Sequence, residues 1–187
     1  GVYCVSKNSV FAVGLGGAFF HFDGSEWREI TKNTIQHFEG GITGDSNNNI
    51  YAVGGVSRIP GWNSTIFKYQ GNNEWSEFYH SSDYGMLNDV CCYSGNKIIA
   101  VGQDGLILHY TGNSWERMTS PVSDWLYGVW GNSENNLYAV GQSGTILEFN
   151  GAEWTEIPEI TSNYLTDIFG IQASIFAVGY NGTILQY

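Results

Sequence analysis

The chain has 187 residues, 16% of them aromatic, with 25 glycines and 18 acidic against 7 basic side chains for a net charge of -11. Aromatic and β-branched residues this plentiful exclude a disordered chain. The missing Lys/Arg stripe removes the counterion-releasing surface that nucleic-acid binding needs. No apolar run reaches the roughly 18–20 residues of a membrane-spanning helix.

In chain order, one phrase punctuates the sequence: Phe11-Ala-Val-Gly14, Tyr51-Ala-Val-Gly54, Ile99-Ala-Val-Gly102, Tyr138-Ala-Val-Gly141 and Phe176-Ala-Val-Gly179. The alanines are 40, 48, 39 and 38 residues apart, and Trp27, Trp75, Trp115 and Trp154 follow the first four. The Ala-to-Trp offset is 15 residues in three repeats and 23 in the second, so that repeat carries an eight-residue excess, seven of them between Gly54 and Tyr69. Repeats run over about 1–30, 38–78, 87–118, 126–157 and 165–187.

Each repeat predicts four short strands. Gly1–Cys4, Leu87–Cys92, Leu126–Gly131 and Leu165–Gly170 read as first strands. The Ala-Val-Gly phrase is the second strand, apolar on both faces as a strand covered on both sides must be. Thr65–Tyr69, Leu106–Tyr110, Thr145–Phe149 and Thr183–Tyr187 read as third strands, and the fourth begins at the Trp. Asn150-Gly151 marks a turn, because both residues tolerate positive φ. No segment shows a helical period.

Four strands every ~40 residues predict an all-β propeller of about five four-stranded blades in one domain, residues 1–187. Such a small sheet is apolar on both faces and is stable only when stacked between others. The Ala admits a close neighbour, and burying the Trp contributes roughly 2–3 kcal/mol. A fourth strand in the last repeat would fall beyond Tyr187. The fifth blade is therefore expected to have three strands, and the chain to belong to a larger propeller or a longer polypeptide.

The phrases Leu126-x-x-Val-Trp-Gly131, Leu137-Tyr-Ala-Val-Gly-x-x-Gly-Thr-Ile-Leu147 and Gly151-x-x-Trp154 resemble Asp-box (BNR-type) propeller repeats. The branch of photosystem-assembly-factor-like proteins is the nearest in pattern. They also resemble tectonin-type lectin repeats. Only Asp23-Gly-Ser-Glu-Trp27 keeps the aspartate of an Asp-box; the other turns read Gln70-Gly71, Thr111-Gly112 and Asn150-Gly151. The resemblance implies a fold and leaves function open, since propellers host many activities.

Sialidases share Asp-box propellers, and that resemblance implies an arginine cluster, a Tyr nucleophile and an acid. Here Arg28, Arg58 and Arg117 are the only arginines, two of them on fourth strands at the outer edge of the blades. His21 and His109 take the same third-strand place as Lys68, Glu148 and Gln186, which reads as a solvated edge. His37 and His80 lie in connections between blades. The oxygen-rich turn Asp45–Asn49 lacks the Gly and distal Glu of a calcium loop and reads as plain turn chemistry. Cys4, Cys91 and Cys92 are an odd set without a CxxC, read as buried or channel-side thiols. The expectation is a non-enzyme with no cofactor and no metal.

Loops between second and third strands share one rim with the blade-to-blade connections. That rim gathers Arg58 and Trp62 from the insertion with Tyr84, Trp125 and Tyr164 from the connections. Aromatics there suit a protein loop or a sugar ring. The chain is thus read as a non-catalytic interaction module within a larger assembly, with a glycan-binding propeller as the alternative. Scarce lysine and abundant Ser, Thr, Asn and Gly point to an extracellular, cell-surface or periplasmic location, though no signal peptide opens the sequence. Asn63-Ser-Thr65 and Asn181-Gly-Thr183 match glycosylation acceptors.

Overall fold

The repeated Ala-Val-Gly phrase is the second strand of every sheet. The computed structural model describes residues 1–30, 40–45, 49–55, 57–58, 61–71, 74–171 and 174–187, with 57–58 and 61–62 described by backbone alone. Blade 1 consists of Val2–Ser6, Ser9–Val13, Phe19–Phe22 and Trp27–Glu29. Blade 2 holds Ile42–Gly44, Ile50–Gly54, Ser64–Gly71 and Glu74–Ser81. Blade 3 holds Leu87–Ser94, Lys97–Gly102, Ile107–Tyr110 and Trp115–Arg117. Blade 4 holds Leu126–Ser133, Asn136–Gly141, Ile146–Phe149 and Trp154–Glu156. Blade 5 has the three strands Leu165–Ile171, Ser174–Gly179 and Ile184–Gln186. All pairings are antiparallel, and the fold is a five-bladed β-propeller. The insertion of the second repeat forms a small ribbon, Ser57–Arg58 against Gly61–Trp62.

Register explains the phrase. The alanine sits opposite a β-branched residue of the first strand in each blade: Val2, Ile42, Val90, Val129 and Ile168 face Ala12, Ala52, Ala100, Ala139 and Ala177. The side chains before and after it point to the other face. In blades 2, 3 and 4 the second strand is buried from its first apolar residue to its glycine. Four apolar seams result, one between each pair of successive blades. The seam between blades 3 and 4 shows the rule: Tyr93, Ile99, Val101 and Ile107 meet Leu126, Val129, Leu137, Ala139, Leu147 and Trp154. Among the described residues, no such cluster joins blade 5 to blade 1.

The residue preceding that β-branched partner lines the axis, once per blade: Gly1, Gly41, Asp89, Gly128 and Asp167. A Cβ on Gly41 would collide with the Asp89 carboxylate, and one on Gly128 would come within 3.0 Å of the Asp167 backbone. Asp89 spans the joint to blade 4, where Oδ2 accepts the Val129 N–H at 2.8 Å. Its carboxyl also accepts the Val90 N–H. Burial nevertheless dominates and pushes its pKa up to about 7.

Three sequence expectations need correction. Trp27, unlike its counterparts Trp75 and Trp154, is exposed, because among the described residues no blade packs on that side of blade 1. Cys4 is exposed too, whereas burial pushes Cys91 up to about 12 and raises Cys92 further. His21 and His109 are not a solvated edge. His21 stacks on Phe11 at 4.2 Å and shares a 3.0 Å hydrogen bond with Ser9 Oγ. His109 Nε2 lies 2.6 Å from Tyr93 Oη. Both imidazoles are held below their ordinary pKa by burial. Their third-strand place faces the next blade's flank, and an aromatic ring of the same blade covers it, Phe11 from the second strand and Tyr93 from the first.

Candidate functional site

The rim is built from one repeated device. The loop between second and third strands is a single tight turn in four blades: Leu15–Gly17, Gln103–Gly105, Gln142–Gly144 and Tyr180–Gly182. Its middle residue is left-handed, at φ 71° for Gly16, 54° for Asp104, 55° for Ser143 and 57° for Asn181. Asp and Asn tolerate that region through local hydrogen bonding, and Gly through its lack of a Cβ. In blades 3, 4 and 5 the first residue of the turn donates its N–H to the carbonyl preceding the first strand: Gln103 to Met86 at 3.0 Å, Gln142 to Trp125 at 2.9 Å and Tyr180 to Tyr164 at 2.9 Å. Loops and blade connections thereby form one fastened surface.

Variation at two places of this device sets the chemistry. In blade 3 Gln103 is buried, and its Oε1 accepts the Met86 N–H at 3.2 Å. In blade 4 Gln142 instead reaches across to the next connection, where Nε2 donates to the Tyr164 hydroxyl at 2.9 Å. In blade 5 the place is Tyr180, which stacks on Tyr164 with ring centres 5.7 Å apart and planes at 21°. The Tyr127 ring also packs against Tyr164, with ring centres 6.2 Å apart and planes at 31°. Burial and the two neighbouring phenols hold the Tyr127 hydroxyl above its ordinary pKa. Trp125, one connection back, keeps 38% of its surface exposed, and Tyr180 keeps 60%. The joint of blades 4 and 5 thus carries a three-ring tyrosine stack with an exposed Trp in the adjoining connection.

A second rim feature lies at blade 3. The Arg117 guanidinium sits 5.0 Å above the Tyr84 ring. A shallow groove of about 340 Å³ opens beside it, lined by Asp104, Arg117, Met118, Thr119, Ser120 and Val122. Asp124 ties the following connection down by accepting the Thr145 hydroxyl at 2.8 Å and the Gly105 N–H at 3.0 Å. Arg117, read as lying on a fourth strand at the outer blade edge, does end that strand and reaches the rim with its guanidinium over Tyr84.

No protein-family model matches the chain, and no curated protein does either. Solved structures do. The chain is similar over its whole length to YCF48 bound to D1 peptide, at 16% identity and a TM-score of 0.74, and covers 62% of that protein. YCF48 from Cyanidioschyzon merolae matches at 15% identity and a TM-score of 0.72, with 68% of it covered. A streptogramin B lyase matches at 15% identity and a TM-score of 0.74, with 67% covered. The chain thus spans under two thirds of one of these proteins and slightly more of the others. At such identities the likeness is one of fold, shared by a peptide-bound protein and an enzyme alike.

Of the predicted site residues, Tyr164 lies within the stack and Trp125 in the connection of the preceding blade. Tyr84 lies apart, under Arg117. The side chains of Arg58 and Trp62 are outside the described residues, as is His37, and so are 46–48 of the oxygen-rich turn. Asn63 is half-buried, while Asn181 is exposed and donates from Nδ2 to Asn163 Oδ1 at 2.9 Å. Among the described residues no three His, Cys, Asp or Glu side chains form a metal-binding group, and no helix is long and apolar enough to cross a membrane. The sequence reading missed Tyr127, Tyr180, Gln142 and Arg117. Aligning the turns would have found Tyr180, because it replaces the glutamine of two other blades.

The turn before the fourth strand keeps one geometry in blades 1 and 4, with an aspartate in the first and an asparagine in the second. Asp23 Oδ1 accepts the N–H groups of Ser25 and Glu26 at 3.0 and 3.1 Å, and these bonds with the Ser25 hydroxyl hold its pKa down to about 2. Asn150 Oδ1 accepts the N–H groups of Ala152 and Glu153 at 2.9 and 3.0 Å. A neutral amide does the same structural work here.

Proposed function

We propose that this chain is a non-catalytic recognition propeller that holds an extended segment of a protein partner across the rim where blades 4 and 5 meet. The observation that carries the reading is the stack of Tyr127, Tyr164 and Tyr180, fastened by the Gln142 amide. A pre-stacked tyrosine surface loses little entropy on binding and offers both an apolar face and hydroxyl edges. A peptide-bound propeller of the same fold supports a peptide as occupant. The acidic surface favours partners that are neutral or basic. The composition supports work outside the cytoplasm, as part of a larger assembly.

A displayed library of random peptides tests this. Peptides enriched on the native chain should lose binding at least tenfold to Tyr180→Ala and to Trp125→Ala, and keep it with Arg28→Ala on the far edge of blade 1. No enrichment, or enrichment indifferent to both rim substitutions, overturns the reading. The same ring faces suit the C–H face of a sugar, so a glycan array run with the same variants decides between peptide and glycan.

A further inference from the structure

We propose that Asn150 is a modification site: its side-chain amide is lost to attack by its own backbone, and the turn that holds it promotes the step. The chain has two Asn-Gly pairs, Asn150-Gly151 and Asn181-Gly182. Glycine has no Cβ to obstruct approach to its peptide nitrogen. At 150 the fold dictates the pair. Gly151 has φ 95°, and a Cβ there would collide with Asn135 Oδ1 in the turn between the first two strands of blade 4. Asn150 supplies the acceptor that ties the turn down, with Oδ1 taking the N–H groups of Ala152 and Glu153 at 2.9 and 3.0 Å. Two N–H donors fix the oxygen, not the nitrogen, of the amide toward them. Both Asn150 and Gly151 are exposed to the water that the reaction needs.

Those two donors serve the chemistry as well as the turn. The Gly151 nitrogen gives its proton to hydroxide and bonds to Asn150 Cγ. Negative charge builds on Oδ1, the atom that both N–H groups already hold, as the donors of an oxyanion hole hold a tetrahedral intermediate. The Cγ–Nδ2 bond then breaks, and the amide nitrogen takes a proton from water and leaves as ammonia, returning the hydroxide. Water opens the cyclic imide, at Cγ to give aspartate or at the backbone carbonyl to give isoaspartate. Among the described residues neither the Gly151 N–H nor Asn150 Nδ2 has a hydrogen-bond partner, so the attacking and the leaving nitrogen are both free. Asn181 differs on each count. Its Nδ2 donates to Asn163 Oδ1 at 2.9 Å, which restrains the leaving group, and among the described residues no donor faces its own Oδ1. Blade 1 displays the aspartate product. Asp23 stands in the same place before Gly24 at φ 97°, and it accepts the N–H groups of Ser25 and Glu26 at 3.0 and 3.1 Å. Isoaspartate instead routes the main chain through Cβ and Cγ and removes the acceptor from the turn that leads into Trp154.

Timed incubation of the full chain at mildly alkaline pH, followed by proteolysis, peptide mass mapping and enzymatic methyl labelling of isoaspartate, tests this. In the folded chain Asn150 should convert about tenfold faster than Asn181, or more. In concentrated urea the two rates should agree within about threefold, because only the fold separates two identical dipeptides. Asn163→Ala frees the Asn181 amide and should raise conversion at Asn181 severalfold, with Asn150 unchanged as the internal control. Asn150→Asp should keep the circular dichroism spectrum and the urea midpoint of wild type, as the turn of blade 1 requires. The proposal is overturned if Asn150 stays intact in the folded chain while the unfolded chain converts. It is overturned equally if Asn181 converts as fast as Asn150 in the native fold, if Asn163→Ala leaves Asn181 unchanged, or if Asn150→Asp unfolds the blade.

Discussion

Asp89 makes folding stability depend on pH in a direction opposite to most carboxylates. Its folded pKa of about 7 lies above the ordinary 3.8, because burial at the joint of blades 2, 3 and 4 outweighs two backbone N–H bonds. The folded state therefore holds a proton that the unfolded state releases. The stability contributed is fully present below pH ~4 and is lost as pH rises through ~7. The full shift corresponds to roughly 4 kcal/mol at 1.36 kcal/mol per unit. Asp89 keeps partial contact with the channel, which screens it, so about 2–4 kcal/mol is the expected size. Asp89→Asn copies the protonated carboxyl: it still accepts the Val129 N–H and carries no charge. Urea unfolding followed by tryptophan fluorescence at pH 5, 6, 7 and 8 gives the test. The gain of the variant over wild type should rise by about 1–3 kcal/mol from pH 5 to pH 8, most of it before pH 7, and level off above pH 7. A difference that stays flat with pH would refute the reasoning, whatever its absolute value.

Trp154→Ala should cost about 3–5 kcal/mol, since the ring is buried against Phe149 at 5.3 Å and its Nε1 reaches Met118 Sδ at 3.5 Å. Trp27→Ala should cost under about 1 kcal/mol in dilute solution, because half of that ring already meets water; equal losses in urea unfolding would show the two repeats to be equivalent. Gly144→Ala should cost about 1–3 kcal/mol, as its φ is +78° and a Cβ there would collide with the Thr161 carbonyl. Thermal melts of the alanine variant within 2 °C of wild type would contradict that.

The blade architecture was legible because each repeat states it again. A strand covered on both sides must be apolar throughout, and an alanine must stand where two sheets approach, so Phe11–Gly14 and its four echoes located every blade. The three-stranded last sheet followed from counting. The rim was legible only as a place. Trp125 and Tyr164 announced themselves as aromatics before first strands, but the partners of Tyr164 come from a neighbouring turn and from the residue two after Trp125. Sequence spacing carries no sign of which rings will stack. The histidines were misread for a related reason: a polar side chain at a variable position reads as solvated, yet Phe11 of the second strand and Tyr93 of the first each cover one within its own blade. Arg117 was placed by its strand alone, and its long side chain carries the charge from there up to Tyr84.

The order Gly1, Gly41, Asp89, Gly128, Asp167 around the centre also bears on how such a gene can change. Blades look like interchangeable modules, yet each central residue is sized to its successor. Copying the third repeat in place would set two carboxylates side by side with no glycine between them. Copying the third and fourth together would keep large beside small. Growth or shrinkage of this half of the protein is therefore expected to proceed in pairs, with the pair rather than the single blade as the heritable unit.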